Sequence, residues 1–219
     1  MRILFISIFL FLGLFACKES KETETVDRGY GYLPTNKGHV VEYEIISVNR
    51  FGSTFDTTKF FQKEVIGTNM VIGDEYITDF LTYKKDNLQD DYVLDSLKSL
   101  SVRADYGIRY DNNVRFVLLQ FPVYHSQEFD VNLFNTSSEY KLKQKNSGYK
   151  QVNGLSFSGV VDTYLDSESN LIETIEEVNS YVDGVGLISR DLINITHQPN
   201  SDTIGSYYSK RIIATYQEN

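Results

Sequence analysis

Val41-Glu42-Tyr43-Glu44-Ile45 decides the fold class, because apolar side chains fall on every second position and carboxylates on the positions between. Successive side chains of a strand point to opposite faces, so this alternation describes a strand with one buried and one wet face. The same period continues along the chain. Ile77, Asp79, Leu81 and Tyr83 oppose Tyr76, Thr78, Phe80 and Thr82 in a second, more two-sided run. Asp111-Asn112-Asn113 separates residues 106–110 from 114–123, and Asn and Asp tolerate positive φ, so a tight hairpin is predicted there. Asp166-Ser167-Glu168-Ser169-Asn170 reads as a second turn, between residues 159–165 and 171–182. Asp183-Gly184 reads as a third, a two-residue type I′ turn leading into 185–195, with a short β-rich run over 210–216 closing the chain.

Composition points the same way. Sixteen Tyr and 14 Phe against two Met favour strands, where aromatic and β-branched side chains pack across neighbours, and three Pro leave the strands largely uninterrupted. Residues 88–100 fit a short helix through Leu88, Val93, Leu97 and Leu100, or a strand through Tyr92, Leu94 and Leu100. No internal repeat recurs. The expected fold is mainly β: a single antiparallel meander over residues 30–219, forming a curved sheet or partly open barrel with few or no helices.

The chain starts with Arg2 followed by an apolar run over residues 3–15, broken only by Ser7 and Gly13. A bilayer span needs about 20 apolar residues, so this run matches instead the apolar region of a secretory signal peptide. Leu14-Phe15-Ala16-Cys17 resembles the bacterial lipobox, and Cys17 is the only cysteine. The resemblance implies cleavage after residue 16, diacylglycerol on the Cys17 thiol and acylation, palmitate included, of the new terminus. An ordinary signal peptide that contains a cysteine near its end is the alternative. Residues 17–29 are charged and aperiodic, a flexible tether. The expected location is the cell envelope, on the outer membrane through the lipid on Cys17, with the periplasmic and surface leaflets both open.

Loss of residues 1–16 removes one positive charge, Arg2, from the net −9, leaving −10. That balance argues against nucleic acid, which recruits clusters of Lys and Arg. The densest basic group, Lys141, Lys143, Lys145 and Lys150, reads as a solvated strand edge. The mature chain holds no second thiol for a disulfide, and a monomer stabilised by its core is expected.

Several stretches together resemble an uncharacterised lipoprotein family of Bacteroidota. They are Tyr32-Leu33-Pro34 with Gly38 and Tyr43-Glu44-Ile45; Arg109-Tyr110-Asp111-Asn112-Asn113-Val114 leading to Phe121-Pro122-Val123; Phe129 and Phe134-Asn135; Gly184-Val185-Gly186-Leu187-Ile188; and Tyr207-Tyr208 with Lys210, Ile212, Ile213 and Tyr216. Val41 and Phe129 stand where the family often has Trp. The resemblance implies a location and a fold, and no catalytic residue.

No catalytic, metal or cofactor site is predicted. Gly154-Leu155-Ser156-Phe157-Ser158-Gly159 has one residue too many for a G-x-S-x-G nucleophile elbow, and a strand continues after it. His39, His125 and His197 share no metal-ligand spacing and read as surface or hairpin-end residues. Asp86, Asp90, Asp91 and Asp95 lack the Gly and Glu of a calcium loop and read as a solvated acidic stretch. Glu173, Glu176 and Glu177 share one strand and read as a solubilising outer face. Tyr30, Tyr32 and Tyr43, or Tyr207, Tyr208 and Tyr216, are read as core aromatics rather than a sugar platform. The leading functional expectation is a non-enzymatic binding or structural module with a protein or glycan partner. The alternative is a carrier or sensor holding a lipid-like ligand in the curved sheet, and a glycan or ester hydrolase ranks last.

Overall fold

The computed structural model describes residues 27–72, 75–166, 168–169, 172–197 and 203–217. The signal segment 1–16, Cys17 and the tether as far as Val26 lie outside the described residues, as do Ser167 and Asn170 of the second expected turn and Leu171 after it. After a single 3-10 turn at Tyr30–Tyr32 the strands follow in order. They are β1 (Val40–Phe51), β2 (Thr54–Ile72), β3 (Glu75–Lys85), β4 (Val93–Val102), β5 (Tyr106–Asp111), β6 (Val114–Gln120) and β7 (Glu128–Asp130), followed by β8 (Lys141–Val152), β9 (Leu155–Tyr164), β10 (Glu168–Ser169), β11 (Glu173–Val182), β12 (Gly186–His197) and β13 (Thr203–Gln217).

One antiparallel sheet contains them all, in the order β6-β5-β4-β3-β2-β1-β13-β12-β11-β9-β8-β7, with β10 paired to β11. Neighbours in space are neighbours in sequence, apart from the short β10, and the last strand pairs with the first. The result is an up-and-down meander wrapped into a nearly closed barrel, as the alternation around Tyr43 led us to expect. Register shifts at Glu42/Tyr43, Ile66/Asn69, Gly107/Ile108 and Ser180/Tyr181 supply bulges, which bend and twist strands so that a sheet can wrap.

Several local expectations hold and several need correcting. The Asn112-Asn113 hairpin is present, with φ of 49° and 65° at its two central residues. Residues 93–102 form a strand, so the helical reading of 88–100 fails; β4 pairs along β3, and that ladder outweighs any local helical pattern. Asp183-Gly184 is not a type I′ turn. Only Gly184 has positive φ (74°), Val185 N–H donates to Val182 C=O at 3.2 Å, and Val182 pairs with Gly186. Positive φ at the second central residue alone is the type II pattern. The stretch 154–159 opens a further hairpin: Asn153 and Gly154 have φ of 50° and 79° and join β8 to β9. An Asn-Gly pair between two strands is the signal for it.

One end of the barrel is plugged by the segment that leads in from the tether. Leu33 is buried against Gly107 and Phe121, and Gly31 C=O accepts the Gly184 N–H at 2.9 Å. The tip of the β8–β9 hairpin folds across to β13, where Asn153 Nδ2 donates to Ile213 C=O at 3.2 Å. There Val152, Phe157 and Val160 complete a core with Val41, Tyr43, Ile45, Ile188 and Ile213.

Candidate functional site

The cross-strand registers place a row of polar side chains along the inner wall. Arg211 of β13 faces Arg190 of β12, which faces Asn179 of β11, then Thr163 of β9 and Gln144 of β8. Residues directly opposite in an antiparallel pair share a face, so all five point into the barrel. Thr163 and Gln144 are fully buried and Asn179 nearly so, and Asn179 Nδ2 donates to Thr163 Oγ1 at 3.2 Å. On the opposite wall Val41 of β1 faces Glu64 of β2, which faces Thr82 of β3. Thr78 of β3 faces Leu100 of β4, which faces Arg109 of β5. The interior is thus charged and polar as well as apolar.

Two adjoining cavities occupy it. The one nearer the plug, about 80 Å³, is lined by Leu33, Ile66, Phe80, Leu100 and Leu118 among others. The second, about 390 Å³, lies against the place where β6 meets β7 and β8, bounded by Phe116, Leu118, Val131 and Tyr140. Arg109, Arg211, Tyr181, Leu118 and Leu187 border both.

Three guanidinium groups and two carboxylates line this space, apart from His39. Arg211 pairs with Glu64, and its guanidinium carbon lies 3.7 Å from the centre of the Tyr43 ring. Arg190 pairs with Glu177 at 3.1 Å. Glu177 also accepts from Tyr140 Oη at 2.6 Å and Asn179 Nδ2 at 3.0 Å. Among the described residues Arg109 forms no ion pair; its Nε is buried without an acceptor, as are those of Arg190 and Arg211, and its guanidinium carbon lies 5.8 Å from the centre of the Phe116 ring.

The electrostatics follow from that arrangement. Burial pushes the Arg109 pKa down, Glu64 opposes this, and Arg211 and Arg190 add to it. Burial likewise works against the Arg211 charge, but Glu64 outweighs it and the pKa is raised. Burial lifts the Tyr181 phenol to about 12 although Arg109 and Arg190 pull it down, and burial together with Glu64 holds Tyr43 well above 10.0.

Of the residues singled out in the sequence, Tyr43, His39 and Glu177 line these cavities; Tyr30, Tyr207 and Tyr216, expected in the core, are exposed, and two further expectations need correcting. Glu177 is not on an outer face; it is buried in the lumen, while its neighbour Glu176 is exposed. His39 is not a surface residue; it is buried by the plug, with Nε2 3.0 Å from Val185 C=O. His125 is exposed, and the side chain of His197 lies outside the described residues. Asp86, Asp90, Asp91 and Asp95 are exposed, and Ser156 Oγ accepts from Tyr149 Oη at 3.0 Å on β9. Among the described residues no group of three or more His, Cys, Asp or Glu is placed to hold a metal ion.

The outer wall is charged: Glu44 pairs with Lys59 at 3.0 Å and Asp191 with Lys210 at 3.7 Å. A membrane-spanning barrel presents an apolar band on that side. Among the described residues no helix is long and apolar enough to cross a membrane.

No protein-family model matches the chain, and no curated protein matches it. Among solved structures it is similar to a DUF1329 family protein from Desulfovibrio piger, with 8% sequence identity over 87% of this chain and 92% of that one. The TM-score is 0.23, too low for the likeness to bear on function.

Proposed function

We propose that this is a lipid-anchored, non-enzymatic protein of the cell envelope that holds a small ligand inside its barrel. One observation carries the reading: a meander of twelve strands closes around a cavity of about 390 Å³ lined by both apolar and polar side chains. Ligand pockets are concave and mostly apolar, with a few placed polar groups, and large barrels enclose them. Cys17 supplies the anchor in this reading, tethered to the plugged end through residues 18–26.

Leu187 borders both cavities, so Leu187→Trp fills the space where they meet. The wild-type full chain should bind octan-1-ol saturably, and Leu187→Trp should lose that binding while remaining folded. Equal binding by both proteins would place the ligand elsewhere. Cys17→Ala should end uptake of labelled palmitate, since the chain has no second cysteine.

A second reading is a partner-binding surface. Leu94 and Leu97 of β4 share a face and are 57% and 63% exposed, an apolar pair that a partner could cover. Leu94→Lys with Leu97→Lys would disrupt such a surface and leave lumen binding intact.

A further inference from the structure

Arg190 and Arg211 are direct cross-strand partners, and like charges in that relation repel. A third guanidinium, Arg109, approaches from the opposite wall and borders the same two cavities. Glu64 and Glu177 already neutralise Arg211 and Arg190. The lumen therefore holds one more cation than anion, and Arg109 carries the surplus.

A buried charge without a partner is costly, and a structure retains one chiefly where something else completes it. A guanidinium presents five N–H donors in a planar fork suited to an oxyanion, and the buried Arg109 Nε has no protein acceptor among the described residues. The cavity it borders has an apolar part, Phe116, Leu118, Leu187 and the Tyr181 ring, beside the polar groups of Glu177, Asn179 and Arg190. A free inorganic anion would leave that wall in contact with water, and a neutral lipid would leave Arg109 unpaired.

We infer that the barrel binds an amphiphile with a singly charged oxyanionic head, a carboxylate being the simplest, the head paired with Arg109 and the apolar part lying along Phe116, Leu118 and Leu187. This rests on the lumen-binding function proposed above and adds the class of ligand. One negative charge brings three cations and two anions to neutrality, and the head lies within the field of the Arg190–Arg211 pair. No bond is made or broken; the step is binding alone.

The test uses the full chain in maltoside micelles with octanoate and octan-1-ol, which share a tail and differ in the charged head. Wild type should bind octanoate at least tenfold more tightly than octan-1-ol. Arg109→Gln, which removes the charge and leaves a shorter neutral amide, should reduce that preference to within about twofold while octan-1-ol binding persists. It should also melt no lower than wild type, because a buried unpaired cation has gone. Arg109→Lys should keep most of the preference. Equal binding of the two probes by wild type would overturn the anionic head and leave the lumen reading standing. Binding of neither probe would overturn both. A preference for octanoate that survives Arg109→Gln would place the anion away from Arg109 and sink the inference.

Discussion

The barrel is closed in two places, by different means. Between β1 and β13 every residue from Val40 to Phe51 has a backbone partner on the facing strand. Between β6 and β7 the backbone contributes Val117 N–H donating to Val131 C=O at 2.9 Å, and two side-chain amides add to it: Asn135, whose Oδ1 accepts the Arg115 N–H at 3.1 Å and whose Nδ2 donates to Arg115 C=O at 2.5 Å, and Gln144. Gln144 is fully buried; its Oε1 accepts the Gln120 N–H at 2.7 Å and its Nε2 donates to Gln120 C=O at 3.1 Å. The primary amide thus stands in for one residue of a missing strand. A ladder spreads closure over many weak bonds, whereas the amide staples concentrate it in two residues, Gln144 and Asn135. The larger cavity adjoins the stapled side.

The sharpest way to break this contrast is a proline in the ladder. Ile212 sits between Glu44 of β1 and Ser189 of β12. Ile212→Pro removes a ladder donor in a central strand and should cost about 3 kcal/mol or more, enough to prevent folding of a marginally stable domain. Loss of the strand signal in circular dichroism would show it. A folded Ile212→Pro protein would mean that the chain's two ends contribute little to closure.

The staple comes next. Gln144→Ala leaves the Gln120 N–H and C=O without partners, at about 1–3 kcal/mol for each group if water does not reach them. The melting temperature should fall while the strand spectrum stays, because the β8–β9 ladder is untouched. Hydrogen exchange should quicken at Gln120 and Val117 and remain slow along β1 and β13. Uniform quickening would show that the two closures open together.

How much of this was legible beforehand depends on the face of each strand. Val41, Tyr43 and Ile45 alternate with carboxylates, so β1 and the fold class follow from the sequence. Asn112-Asn113 declares its hairpin through residues that accept positive φ. The lumen was hidden for a physical reason: its wall mixes Thr78, Thr82, Thr163, Gln144 and Asn179 with apolar residues, so burial and polarity do not separate. Glu177 reads as solvated for the same cause, since its partners come from β12 (Arg190) and from the connection before β8 (Tyr140). Arg109 lies in an ordinary β pattern, Ile108-Arg109-Tyr110. Only the register reveals that it lacks a partner. The expectation for Cys17, by contrast, rests on its sequence neighbours alone, and the residue lies outside the described residues.

The smallest expected effect separates the stapled seam from the β11 wall by pH. Gln144, Gln120, Val117 and Val131 carry no titrating group, so the seam should be indifferent to alkali. The wall formed by β11, β12 and β13 carries Tyr181, whose pKa burial raises to about 12 against 10.0 for an exposed phenol. A group with a raised folded pKa gives stability that is complete below the unfolded value and is lost as pH climbs through the folded one. The window here is therefore pH 10 to 12. At pH 11 the unfolded phenol is mostly ionised and the folded one mostly protonated, which removes about 1.4 kcal/mol from the folded state. Tyr181→Phe abolishes that term. It should melt with wild type at pH 7.5 and above it at pH 11. If the two proteins melt together at pH 11 as well, the lumen admits enough water to relax Tyr181, and the wall is as open to solvent as the seam.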